Sequence, residues 1–250
     1  MSCQGASGTG EERGVSEASK ITLACLDLAG TTVGDHGLVE SAFVDALATL
    51  GIVAGTAAFD QAMIRVRESR GRPKVEIFRQ LIPEGAAGGE VWARTANLSF
   101  ERSYDAAIDR VGLAPVPGAE AALDKLAGAG VRLCLMTGFS RGTLGRVLDT
   151  LDWWKRVDLV ICPDDVGGRG RPWPDLVLTA ALRLQVEDVR HVAVCGDTAS
   201  DILSGRRAGA SIVAGVLTGA HDREQLLGAG ATHVIDSIVD LPDLVLGTTG

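Results

Sequence analysis

ITLACLDLAGTT, residues 21–32, is the stretch on which the reading of the fold turns. Ile21 to Leu26 is an apolar run of strand length, and it stops at Asp27, three residues before a glycine that two threonines follow. Comparable runs recur at Val131 to Met136, Val157 to Ile161, His191 to Cys195, Ser211 to Leu217 and Thr232 to Ile235. Amphipathic stretches such as Gly118 to Ala129 and Arg141 to Leu151 separate most of them. Alternation of short apolar runs with helical periodicity predicts an α/β chain with a doubly wound, mostly parallel sheet. Ligands of such sheets sit beyond the carboxyl ends of the strands. The residues that close the runs are Asp27, Thr137 with Gly138, the Cys162 to Arg171 loop, and Gly196 with Asp197.

One interval breaks the alternation. Between Asp27 and Val131 apolar residues fall at spacings of three and four, without a convincing strand. They are Phe43, Leu47 and Leu50, then Met63, Val66, Ile77, Phe78 and Leu81, then Leu98, Tyr104 and Ile108. That period predicts a small helical bundle inserted into the sheet domain. Gly112 to Gly118, with prolines at 115 and 117, reads as the return linker. Residues 1–19 are rich in Gly, Ser and Glu and read as a flexible tail. The expected division is a tail over 1–19, a core over 20–34 and 115–250, and a helical insert over 35–114.

Composition narrows the possible partners. The chain has 250 residues, 46% of them hydrophobic, and a formal net charge of -8. Its average field repels a phosphate backbone or an acidic membrane, so nucleic acid and membrane partners are not expected. No run of 18 apolar residues and no signal pattern is present, and a cytoplasmic location is the expectation. Of the five cysteines, Cys25, Cys134, Cys162 and Cys195 lie in or beside predicted strands, which suits buried free thiols; Cys3 lies in the tail. Trp153-Trp154 reads as packing at a helix end, Asp164-Asp165 as a capped turn, and His36, His191, His221 and His233 as structural, since none has ligand spacing. There is no glycine fingerprint for a dinucleotide and no Walker loop.

Each strand-end residue is ordinary when taken singly, because Asp, Thr and Gly favour turns and caps. Their order is more specific. Asp27-Leu28-Ala29-Gly30-Thr31-Thr32, then Thr137, then Arg171-Pro172, then Gly196-Asp197-Thr198-Ala199-Ser200-Asp201 resemble the four motifs of the haloacid dehalogenase superfamily over residues 21 to about 240. The resemblance implies a Rossmann-like catalytic core under a cap domain. It also implies an aspartyl-phosphate formed on Asp27 and a Mg2+ ion held by Asp27, the Ala29 carbonyl and Asp197, with Asp201 in the outer shell. The residue types suit that chemistry: a carboxylate nucleophile, hard oxygen ligands for magnesium, and donors for the remaining oxygens from Thr137, Gly138 and Arg171. Gly30, Thr31, Gly138 and Arg70 are assigned to substrate contacts. Arginine at 171 replaces the lysine more usual in the third motif.

Ala29 is the informative departure. Phosphatases and phosphomutases of the superfamily carry there an aspartate that protonates an alcohol leaving group. The Asp-x-Ala-Gly-Thr-Thr form is similar to that of phosphonoacetaldehyde hydrolase, or phosphonatase, and its phosphonatase-like relatives. Expelling a carbanion from phosphorus needs an electron sink, which in that family is the imine of a cap lysine. Gly71-Arg72-Pro73-Lys74 resembles the Gly-x-x-Lys that carries it, and Lys74 is one of only four lysines among 24 basic residues. The plain alternative is a solvated basic face made by Arg65, Arg67, Arg70, Arg72 and Lys74. Where phosphonatase has methionine before that glycine and histidine three residues after the lysine, this chain has Arg70 and Ile77. The resemblance implies cleavage of the carbon-phosphorus bond of phosphonoacetaldehyde or a related 2-oxo-alkylphosphonate, and a homodimer through the cap. The rival readings are a phosphate-monoester phosphatase or phosphomutase, and a non-catalytic protein that binds a phospho-ligand.

Overall fold

The computed structural model describes residues 20–247. Six strands, β1 (Leu23–Asp27), β2 (Arg132–Met136), β3 (Leu159–Ile161), β4 (Val192–Gly196), β5 (Ile212–Val216) and β6 (His233–Ile235), form one parallel sheet in the order β3-β2-β1-β4-β5-β6. All six runs anticipated from the sequence are strands, with ends shifted by a residue or two; β1 and β4 each run one residue further, to Asp27 and Gly196. The sheet is covered on both faces, which is why its strands are apolar throughout rather than alternating.

Side chains still alternate across the sheet, and the two cores separate accordingly. Ala24, Leu26, Leu133, Leu135, Ala193 and Cys195 face the helices α5 (Ala119–Gly128), α6 (Arg141–Leu151) and α10 (Leu241–Leu246). Leu23, Cys25, Cys134, Met136, Val192 and Val194 face α7 (Asp175–Arg183), α8 (Ala199–Ala208) and α9 (Arg223–Gly228). Cys25, Cys134, Cys162 and Cys195 are buried free thiols, and burial pushes those of Cys134 and Cys195 far up from the ordinary thiol value. The tail over 1–19, with Cys3, lies outside the described residues.

Four helices stand between β1 and α5: α1 (Leu38–Thr49), α2 (Ala57–Glu68), α3 (Lys74–Leu81) and α4 (Gly89–Val111). Their apolar faces meet on Phe43, Phe78 and Phe100, whose ring centroids are 4.8 to 6.5 Å apart. Tyr104 continues that row to Phe139 of the sheet domain at 5.0 Å, so the helical core and the sheet core are one body of packed rings. Leu98 differs from its reading as a core position: it is 52% exposed, on the outer side of α4, because Ala96 and Phe100 hold the inner side. The two connecting segments run alongside each other, with Gly34 N–H donating to Ala114 O and Val116 N–H to Thr32 O at 2.9 Å each. Among the described residues no helix is long and apolar enough to cross a membrane.

Candidate active site

In this strand order the chain leaves β1 on one side to form β2 and β3 and returns on the other to form β4, so the topological switch lies between β1 and β4. Leu26 pairs with Cys195, so the last residue of β1, Asp27, emerges beside Gly196 and Asp197. After Asp27 the backbone winds tightly, with the amides of Thr32 and Val33 both donating to Leu28 O and the Thr32 hydroxyl donating to Asp27 O at 2.9 Å. Gly30 turns the chain at φ +90, and a Cβ there would meet Asp197 Oδ2 at 2.6 Å. Only glycine lets this turn close over the second carboxylate.

Asp197 is aimed by two donors to its side chain, the Ala220 amide at 2.7 Å and the Thr31 hydroxyl at 3.4 Å. Asp201 is fixed by α8 itself: Thr198 caps the helix, and its hydroxyl and amide donate to Asp201 Oδ2 at 2.5 and 3.1 Å. Arg171 Nη1 donates to Asp27 Oδ1 at 2.5 Å and also to Asp201 Oδ1. All four side chains are buried.

The electrostatics of this cluster point to a missing positive charge. Burial, reinforced by Asp201 and Asp197 and opposed by Arg171, pushes Asp27 up to about 8. Burial and Asp201 push Asp197 up to about 6. Three carboxylates whose oxygens lie within 4.8 Å of one another share one directly bonded guanidinium, that of Arg171, which cannot neutralise all of them. A divalent cation with a hard oxygen shell fits that deficit, with Asp27 and Asp197 at the cavity and Asp201 behind them.

The insert closes the site. A small cavity of about 40 Å³ is lined from the sheet domain by Asp27, Ala29, Gly30, Thr137, Gly138, Phe139, Arg171 and Asp197, and from the insert by Asp35, Val39, Arg70, Gly71 and Lys74. Lys74 starts α3 and is 8% exposed, which excludes the solvated-face alternative for this residue. Its Nζ lies 4.9 Å from the centre of the Phe139 ring and 6.0 Å from that of Phe100. Burial and the nearby Arg171 draw its pKa down to about 8, against the pull of Asp27.

The cavity therefore gathers Asp27, Ala29, Gly30, Arg70, Lys74, Thr137, Gly138, Arg171 and Asp197, from positions spread over 170 residues of chain. Two of the anticipated site residues do not line it. Thr31 is fully buried and acts on Asp197, and Asp201 is held from behind by Thr198 and Arg171. Asp164 and Asp165 do not reach Arg171: Asp164 accepts the Arg141 amide at 2.7 Å, and Asp165 accepts that of Cys162 at 2.9 Å. Trp153 is buried at the end of α6, whereas Trp154 is half exposed. Sequence reasoning missed Asp35 and Phe139. The signal for Phe139 was its place directly after Thr137-Gly138; Asp35 carries no motif and is found only through its partner, Arg70 Nη2, at 2.7 Å.

Residues 21–209 match the family model described as haloacid dehalogenase-like hydrolase. A phosphonoacetaldehyde hydrolase of Bacteroides fragilis is 27% identical over 263 residues, covering 90% of this chain and 96% of that protein. One of Bacillus cereus is 30% identical over 217 residues, covering 81% and 78%. The crystal structure of a phosphonoacetaldehyde hydrolase-like protein from Oleispira antarctica superposes with a TM-score of 0.78 at 25% identity, covering 96% of both chains. That of a putative β-phosphoglucomutase from Thermotoga maritima does so at 0.63 and 21% identity, covering 91% and 100%, a likeness of fold alone. The chain belongs to the haloacid dehalogenase-like hydrolase family.

Proposed function

We propose that this haloacid dehalogenase-like hydrolase cleaves the carbon-phosphorus bond of a small 2-oxo-alkylphosphonate, phosphonoacetaldehyde or a relative of it, through an imine on Lys74 and an aspartyl-phosphate on Asp27. The observation that carries the reading is one cavity lined by a carboxylate nucleophile, a buried lysine and an alanine where a general acid would stand. A phosphatase of ester substrates has use for that acid and none for the amine. The relatives named phosphonoacetaldehyde hydrolase support the same reading.

The residues divide the work. Lys74, drawn down to about 8, supplies a free amine to the carbonyl, and loss of water leaves a protonated imine. Asp27 then attacks phosphorus, the electron pair of the carbon-phosphorus bond moves into the imine to give an enamine, and water later hydrolyses the acyl phosphate. Arg171 holds Asp27 in line while the Thr137 hydroxyl and Gly138 amide face the equatorial oxygens. Asp27, Asp197 and the Ala29 carbonyl would hold Mg2+, which offsets the charge of the phosphonyl oxygens. The Phe139 ring lies against the Lys74 amine at the carbon end of the cavity.

The test is borohydride trapping. Enzyme, magnesium, phosphonoacetaldehyde and borohydride should give a single reduced adduct, found by peptide mass spectrometry on Lys74. An unmodified Lys74 in a preparation that hydrolyses phosphate esters would instead identify a monoester phosphatase.

A further inference from the structure

Arg70 and Asp35 line the same cavity as Lys74 and Asp27, yet neither imine formation nor transfer to Asp27 employs them. Asp35 Oδ1 accepts the Val39 amide at 2.9 Å in the first turn of α1, and Oδ2 accepts Arg70 Nη2 at 2.7 Å. Both oxygens are thus engaged, and the charge of Asp35 is further satisfied by the helix N-terminus. The carboxylate acts as an anchor for the guanidinium. Arg70, whose side chain is 19% exposed, spends one Nη on that anchor, and a guanidinium has four further N–H donors in a planar fork. Its charge acts on both Lys74 and Asp197, which line the same cavity. A partly desolvated, oriented guanidinium beside a carbonyl-binding amine is the arrangement that recognises a planar anion two bonds from the amine's target. An aldehyde, whose carbonyl carbon bears hydrogen, offers it no anion at that carbon.

We infer that Arg70, oriented by Asp35, binds a carboxylate on the carbonyl carbon of the substrate, so that the substrate class is a 3-phosphono-2-oxo acid. The inference rests on the imine reading and narrows it. Lys74 condenses with the 2-oxo group and releases water; the carbon-phosphorus electron pair passes into the protonated imine as phosphorus moves to Asp27. The enamine takes a proton at the former phosphorus-bearing carbon, and hydrolysis frees a 2-oxo acid and Lys74. Water is returned in that step, so no oxidant or reductant is needed. Throughout, the carboxylate remains on Arg70, which holds the carbonyl carbon against the amine.

The experiment compares 3-phosphonopyruvate with phosphonoacetaldehyde in the full chain with magnesium, following phosphate together with pyruvate or acetaldehyde. Wild type should favour the oxo acid in kcat/KM. Arg70→Met should lower kcat/KM for the oxo acid by about tenfold to a hundredfold more than for the aldehyde, the weight of a charge-assisted hydrogen bond. Arg70→Lys, which keeps the charge and loses the fork, should recover only part of the loss. Preference of the wild type for the aldehyde overturns the inference. So does an equal loss on both substrates in Arg70→Met, which would make Arg70 a pin between the insert and the connecting segment. If wild type cleaves neither compound and borohydride attaches neither to Lys74, the imine reading itself fails and takes the inference with it.

Discussion

A single missing carboxyl group separates this site from that of an ester phosphatase. Ala29, just after β1, and Lys74, at the start of α3, line one cavity. The two residues make sense together, since a carbanion leaving phosphorus needs an electron sink, which the imine of Lys74 would supply, and gains nothing from an acid placed to protonate an alkoxide. Replacing Asp27 by Asn keeps the shape and removes the nucleophile, so steady-state turnover should fall by at least about a thousandfold. Normal turnover in that variant would end the case for an aspartyl-phosphate. Lys74 gives a second handle, because only its free amine can attack a carbonyl. Burial and Arg171 hold it near 8, below the 10.5 of an ordinary lysine, so the rate of imine trapping should climb with pH and level off near 8. A plateau near 10.5, or unimpaired activity in Lys74→Arg, would show an amine with no covalent role. The motif residues were legible because each closes an apolar run. The Arg70–Asp35 pair was not, since it joins positions 35 residues apart across an insert whose helices do not announce their tertiary contacts.

At the scale of elements, the sheet was legible and the seam was not. Parallel strands buried on both faces leave continuous apolar runs, so β1 to β6 could be placed to within a residue or two. Helical periodicity located the insert but misassigned Leu98, because a spacing of three or four does not say which of two faces is covered. Invisible in the sequence is how the loop at Gly71 and Arg72 seats on the sheet domain. A Cβ at Gly138 would approach Arg72 O at 2.5 Å and Gly71 O at 2.7 Å, backbone against backbone with no side chain free to yield. Gly138→Ala should therefore hold the insert away from the site while leaving the sheet domain folded. The expected result is a fall in kcat/KM of at least about tenfold, as for a misplacement near 1 Å, with a Tm close to wild type. Equal kinetics in the alanine variant would show that the loop does not seat there during turnover.

For the whole molecule, the carboxylate cluster makes stability depend on magnesium and pH together. Asp27 and Asp197 have pKa values in the folded protein, about 8 and about 6, that lie above the 3.8 of an exposed aspartate. A carboxyl raised in this way binds its proton more tightly in the folded state than in the unfolded one. Its contribution to stability is complete below 3.8 and is lost as pH climbs through the folded value. The metal-free protein should thus weaken between pH about 4 and about 8 as charge is forced into a buried site. Magnesium should act in the opposite direction, because it would bind the deprotonated carboxylates of the native state and has no such site in the unfolded chain. The rise in Tm on adding magnesium should accordingly be small near pH 5 and grow towards pH 8. At a hundred times the dissociation constant the linkage is about 2.7 kcal/mol, which for a chain of this size corresponds to roughly 5 to 11 °C. Asp197→Asn should remove most of the magnesium response and flatten part of the decline in its absence. Calorimetric scans with magnesium or EDTA across that pH range test both halves. A metal-free Tm that does not fall with pH would mean that Asp27 and Asp197 are ionised at no cost, and a magnesium shift independent of pH would place the ion elsewhere.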